Sequence, residues 1–161
     1  MPGMQVGFSL DDLEVRRLFE RAPEAVSVRL RQLVEGGAID VQREMRIATN
    51  VGVTGNTRRS VRYTFNALQL SAVIEPTAEN AEALEKGSPP HFVSVAEGLS
   101  LRDWANLKGI NPFALQRSIT KKGTQAHPFV EPTYHKMKPK VENDIATGLS
   151  RLVEDLNNAR I

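Results

Sequence analysis

An α+β fold follows from three observations on the sequence. Apolar side chains recur at three- and four-residue steps through residues 22–48, two short runs at 61–65 and 68–74 alternate apolar with other side chains, and a second apolar stripe occupies 141–156. The outer stripes read as helices and the middle runs as two antiparallel strands. The expected elements are a long N-terminal helix, a small antiparallel sheet and a C-terminal helix, with a helical hairpin inserted at 87–123. The 161 residues suit a single domain spanning 1–161, and 40% hydrophobic with 25% charged residues is the composition of a folded chain.

Ser9 followed by Asp11, Asp12 and Glu14 reads as an N-cap with acids in the first turn, so a short helix is expected over 10–21. Pro23 fits the first turn of the next helix, where its missing N–H is not needed. The stripe Ala22, Val26, Leu30, Leu33, Val34, Val41, Met45 and Ala48 keeps its phase across Gly36-Gly37, which predicts one long helix in spite of the glycines. Gly52, Thr54, Gly55 and Asn56 read as a loop. Beyond it Val61, Tyr63 and Phe65 alternate with Arg62 and Thr64, and Leu68, Leu70, Ala72 and Ile74 alternate in turn, with Asn66-Ala67 as the tight connection.

Pro76 ends the second strand, a short helix runs to Lys86, and Gly87 supplies the residue that closes it. Ser88-Pro89-Pro90 opens a stretch of loop chemistry to Gly98. Helical pieces follow at 101–107 and 113–120 around Gly109 and Asn111-Pro112, and Gly123 to Pro128 is again a loop. Pro132 opens the last helix, whose stripe is Val141, Ile145, Leu149, Leu152, Val153 and Leu156. Pro139 inside it predicts a kink or a fresh start.

Cysteine is absent, which excludes disulfides and thiolate metal sites. There is no apolar run of about 18 residues and no leader of the signal-peptide kind, so synthesis in the cytoplasm without a membrane partner is expected. The net charge of +2 with a pI near 9.1 is a weak argument for nucleic acid. Positive charge does gather late, at Arg117, Lys121, Lys122, Lys136, Lys138 and Lys140. Such a cluster reads either as a solvated face or as a surface meeting DNA or an acidic partner.

Candidates for chemistry are few. His91, His127 and His135 lack any metal-binding spacing, Ser60, Ser71 and Ser118 lack a nucleophile elbow, and no phosphate-binding glycine loop occurs. No catalytic residue, metal, cofactor or small-molecule substrate is therefore expected. Thr54-Gly55-Asn56 with Arg58 and Arg59 has the composition to hold a phosphate, but the same residues suit a simple turn between helix and strand. The segment 101–122, two short helices about a glycine turn followed by cations, is open to two readings. It is a helix-turn-helix whose second helix enters the major groove, or a helical hairpin packed through Trp104, Leu107, Ile110, Phe113, Leu115 and Ile119.

Three spaced segments carry a more specific signal. They are Thr54-Gly55-Asn56-Thr57-Arg58-Arg59-Ser60-Val61, then Ala81-Glu82-Ala83-Leu84-Glu85-Lys86-Gly87, then Gly123-Thr124-Gln125-Ala126-His127-Pro128-Phe129-Val130-Glu131-Pro132. In this order, with helical tracts on either side, the chain resembles the tail-completion (neck) family of long-tailed bacteriophages. That pattern runs TG-x-x-x-x-S, a helix ending in E-x-G, then G-T-x-x-x-PF-x-x-P and a C-terminal helix. The resemblance spans about residues 22–156. It implies a long N-terminal helix and a C-terminal helix packed on a small antiparallel sheet, and a structural virion protein, assembled in the host cytoplasm, that forms a ring joining tail to head, with genome DNA passing through unbound.

By position, Thr54, Gly55 and Ser60 match the loop before the first strand, Glu85 and Gly87 the end of the middle helix, and Pro128, Phe129 and Pro132 the entry to the last helix. Thr57 stands where the family usually has leucine and Asn80 where it often has tyrosine, and both changes remove apolar bulk. The resemblance further implies partners: other copies of the chain, most simply in a sixfold ring, and neighbouring neck or tail proteins. Two patches per subunit are expected at the interfaces, the loop and strand with Thr54, Gly55, Arg58, Arg59 and Ser60, and the hairpin with Trp104 and Phe113.

Overall fold

The computed structural model describes residues 6–9, 23–49, 52 and 54–158. Three strands and six helices are present among them: β1 (Val6–Ser9), α1 (Pro23–Ala48), α2 (Asn56–Ser60), β2 (Val61–Asn66), β3 (Ser71–Pro76), α3 (Ala81–Lys86), α4 (Ser100–Leu107), α5 (Pro112–Lys122) and α6 (Val130–Asn157). The sheet is antiparallel with order β1-β3-β2, so the last strand in sequence sits at its centre. The architecture is α+β: α1 lies with one side on the sheet and another along α6.

Helix α1 runs unbroken through Gly36-Gly37. Glu24 in its first turn and Arg46 in its last complement the helix dipole. Its buried face is Val26, Leu30, Val34, Ala38, Val41 and Met45. Ala38, directly after the glycine pair, is fully buried and keeps the stripe in phase, while Ala48 at the end is exposed and Leu33 half-buried. The main core joins that face to Val61, Ala72 and Ile74 of the sheet and to Phe129, Val130, Met137 and Val141 of the α6 side. A smaller cluster of Val26, Leu30 and Leu152 collects Leu70, Leu149 and Leu156.

Several sequence expectations need correction. The second strand starts at Ser71, not Leu68. Residues 67–70 form the turn, because Asn66 Oδ1 accepts the N–H groups of Leu68 at 3.0 Å and Gln69 at 3.2 Å, a local bond that competes with strand extension. Leu68 is consequently 99% exposed. Leu70 takes a left-handed φ of 46°, held there by its packing on the smaller cluster. Residues 56–60, expected as loop, make one helical turn after Gly55, whose φ of 61° and ψ of 18° reverse the chain.

Helix α6 begins at Val130, two residues before Pro132, and continues through Pro139 without a fresh start. Pro139 lies on the exposed side of the helix, where water can serve the carbonyl it leaves unpaired. The strand β1 has no counterpart in the sequence reading, and the helix expected at 10–21 falls outside the described residues.

Candidate functional site

The second and third motif segments, 81–87 and 123–132, meet at one junction. The carboxylate of Glu85, at the end of α3, accepts three backbone N–H groups at the start of α6: Phe129 at 2.6 Å and Val130 at 2.9 Å on Oε2, and Glu131 at 2.9 Å on Oε1. A helix leaves its first N–H groups without carbonyl partners. Here the next residue, Pro132, has none to satisfy, and Thr133 is the first whose N–H reaches a carbonyl one turn back. Glu85 thus completes the hydrogen bonding of the entry to α6 and places a negative charge at its positive end. Phe129 is buried beside it, while Pro128 and Pro132 are exposed.

Two residues beyond Glu85 the chain enters a clasp. Ser88 and Thr124 exchange backbone hydrogen bonds, Ser88 N–H to Thr124 O at 3.2 Å and Thr124 N–H to Ser88 O at 3.0 Å, and their hydroxyls lie 2.8 Å apart. Gly87 and Gly123 flank this bridge, both with φ of 75°. A Cβ on Gly87 would stand 2.6 Å from Thr124 O, and one on Gly123 would overlap Ser88 O. Only glycine fits either position. The clasp ties together the two ends of the 87–123 insertion, next to the Glu85 cap.

Thr57 and Asn80, the two residues that differ from the pattern the sequence resembles, are bonded to each other. Thr57 is buried, and its hydroxyl donates to Asn80 Oδ1 at 3.1 Å. The bond removes the desolvation cost of a lone buried hydroxyl.

Around these residues lies the first expected patch. Thr54 Oγ1 accepts the Asn56 N–H at 3.3 Å and Ser60 Oγ donates to Thr57 O at 2.8 Å, so both hydroxyls serve the turn itself. Arg58 and Arg59 are exposed and form no salt bridge with a described residue. β2 is an edge strand of the sheet, with Arg62 and Thr64 exposed on the face away from the core. The Val61 carbonyl is covered by Gln42 Nε2 at 3.1 Å and Arg46 Nη2 at 2.8 Å.

At the second expected patch the hairpin buries less of its apolar set than the helical-hairpin reading expects. In the α4–α5 hairpin the buried residues are Ala105 and Ile119, with Val95 from the preceding loop. Trp104 and Leu115 are half-buried, while Leu107, Ile110 and Phe113 are exposed. The reason is architectural: α4 and α5 pack on each other without an extensive contact to the long helices, so each buries only a narrow face. Gly109 at φ 66° closes α4, returning the Ile110 N–H to Ala105 O at 2.8 Å. Asn111 then caps α5 through the N–H groups of Phe113 and Ala114, with Pro112 in the first position. That cap escaped the sequence reading, although Asn followed by Pro is its signature.

The late basic cluster is divided rather than continuous. Lys136 pairs with Glu44, Lys138 with Glu142, and Lys140 with both Asp40 and Asp144, so these three lysines of α6 are compensated and two of them bind α6 to α1. The Asp144 hydrogen bond, and then the one to Asp40, hold the Lys140 ammonium above its usual pKa. Arg117, Lys121 and Lys122 have no such partner among the described residues.

His91 Nδ1 lies 2.8 Å from Pro89 O, His135 lies 3.8 Å from Glu131, and His127 is exposed with its N–H bonded to Leu84 O at 2.7 Å. Among the described residues no group of three or more His, Asp or Glu is placed to hold a metal.

Fold and surface together define a small α+β protein with exposed arginines on an edge loop and with exposed apolar and cationic side chains on a clasped helical arm. Comparison with protein-family models, with curated proteins and with solved structures finds no match. No helix among the described residues is long and apolar enough to cross a membrane.

Proposed function

We propose that this protein is a structural component of a phage neck or tail end, acting without catalysis as a subunit of a ring that joins tail to head in the virion. One observation supports the reading above all: two of the three segments that carry the family resemblance are bonded to each other, with Glu85 capping the helix entered at Phe129 and Gly87 and Gly123 closing the clasp beside it. The first segment joins them through the core, where Val61 belongs to the same buried cluster as Ala81, Phe129 and Val130.

A 17.8 kDa subunit is too small to surround a duplex about 20 Å wide, so the channel requires several copies related by rotation, most simply six. Ring closure uses two unlike patches on each subunit. The Arg58–Arg59 loop and the α4–α5 arm are both cationic, and like charges bar direct contact between them. The ring contact is therefore assigned to the loop and edge strand β2 against another face of the next copy, and the arm is left to a different neighbour.

DNA recognition by the arm has one observation in its favour, the uncompensated Arg117, Lys121 and Lys122. The first turns of a recognition helix must present base-reading side chains to the groove. In α5 those turns offer Phe113 and Ala114, and Gln116 is already donating to Val93 O at 2.7 Å. Negative-stain microscopy of the purified protein, alone and with its assembled particle, tests the choice. A ring in the particle is expected; a single copy per virion, or a monomer with one tight specific duplex site, overturns the proposal.

A further inference from the structure

The arm at 87–123 leaves both apolar and cationic side chains uncovered. Leu107, Ile110 and Phe113 flank the Gly109 turn at its tip, 69%, 40% and 60% exposed. Along α5 the exposed residues Phe113, Arg117 and Lys121 follow at four-residue steps, which sets an aromatic ring and two cations in one row. Within the insertion Arg102, Lys108, Arg117, Lys121 and Lys122 face only Glu97 and Asp103, and Glu97 is already paired with Arg102 at 3.4 Å. An apolar tip beside uncompensated cations gains from a partner that supplies an apolar pocket and carboxylates together.

We infer that the tip of the arm and the outer row of α5 dock on a neighbouring protein through an apolar pocket rimmed by carboxylates. This deepens the assembly reading and rests on it for the existence of a neighbour. A second copy is disfavoured as the occupant, since arm against arm, or arm against the Arg58–Arg59 loop, sets cation against cation. A bilayer is disfavoured by Lys108, exposed at the apex between Leu107 and Gly109, where insertion would bury an ammonium. Duplex DNA offers no pocket for Phe113.

The test uses the full chain and four probes. They are a synthetic amphipathic helix with Leu and Phe on one face and Glu along its borders, the same peptide with Lys in place of Glu, phosphatidylglycerol-containing vesicles, and random-sequence duplex DNA. The sole tryptophan, Trp104, sits in α4 and reports on the arm by fluorescence. Binding of the acidic peptide is expected, weakening about tenfold as salt rises from about 50 to about 500 mM. Phe113→Ser with Lys121→Glu should weaken it about tenfold further at an unchanged circular dichroism spectrum. Should that variant unfold, Arg117→Glu alone, at an exposed position, serves instead. No binding of the acidic peptide, equal binding of both peptides, tighter binding to vesicles or duplex, or indifference to the substitutions overturns the inference. Ring formation is scored separately by microscopy, so a ring without peptide binding defeats only the arm's role, and peptide binding without a ring defeats only the ring.

Discussion

The side chain of Glu85 and the backbone of Phe129, 44 positions apart in sequence, are joined by a buried hydrogen bond of 2.6 Å. Two further N–H groups share the same carboxylate, so one side chain serves the whole first turn of a helix on another part of the chain. Glu85→Ala leaves those donors without a partner, at about 1–3 kcal/mol for each buried group. The expected loss is roughly 3 kcal/mol or more by urea denaturation. Glu85→Gln keeps acceptor capacity but removes the charge at the helix end, for a smaller loss of about 1–2 kcal/mol. Equal stability of the alanine variant and the parent would contradict the cap.

Two helical glycines should respond oppositely to alanine. A Cβ at Gly36 in α1 meets nothing within 4 Å, so Gly36→Ala should stabilise by about 0.5–1 kcal/mol through helix propensity. At Gly148 in α6 the same Cβ would overlap the side chain of Leu33 on α1. The propensity gain is then offset by overpacking of about 1–3 kcal/mol, and net destabilisation is expected. Thermal unfolding of the two variants side by side checks the pair.

Opening the clasp should loosen the arm. Gly123→Ala combines a left-handed φ with backbone overlap, a strain of about 1–3 kcal/mol. In the parent, limited proteolysis is expected to cut first between residues 88 and 100, a mostly exposed stretch, with Val95 buried, that lacks regular structure between the bridge at its start and α4 at its end. The variant should be cut there several times faster. Protection of that stretch equal to β2 and β3 would show the arm to be as firmly held as the sheet.

Arg58→Glu with Arg59→Glu changes exposed side chains that bind no described residue. Circular dichroism and melting temperature should therefore stay within about 0.5 kcal/mol of the parent in stability. Joining of heads to tails in a complementation assay should fail. Full infectivity of the double variant would remove this loop from the ring contact.

Lys140 links α1 to α6 through Asp40 for as long as its ammonium stays protonated. Its folded pKa is raised above the usual lysine value, chiefly by Asp144 and then by Asp40. Its contribution is therefore fully present below the unfolded pKa and is lost as pH rises through the folded one. Stability of the parent should fall in that alkaline window, and Lys140→Met should flatten the fall while leaving the acid limb to the carboxylates. Identical alkaline limbs would rule the linkage out.

Elements with a strong internal period were legible in the sequence. Helix α1, helix α6 beyond Val141, strand β2 and the hairpin helices follow from side-chain spacing, because each repeats its own pattern enough times for the buried face to be read. Gly87, Gly109 and Gly123 were readable as turning points for a similar local reason, the freedom of glycine at positive φ. The α+β class required nothing more.

Tertiary structure decided what has no local period. Four residues, Val6–Ser9, cannot announce a strand, and only pairing along β3 makes them one. Leu68 continued an alternating pattern and yet stands in water, since the side chain of Asn66 captured the turn. The candidate surfaces divide in the same manner. That Arg58 and Arg59 are exposed was open to inference from composition, but that Lys136 and Lys140 are neutralised depended on where α1 places Glu44 and Asp40. The same holds for Leu107, Ile110 and Phe113, apolar enough for a core and left uncovered because no third layer among the described residues comes to meet the hairpin. Burial and charge compensation are properties of neighbours, and the neighbours of Glu85, Lys140 and Phe113 are set by chain packing over tens of residues, beyond the reach of any local pattern.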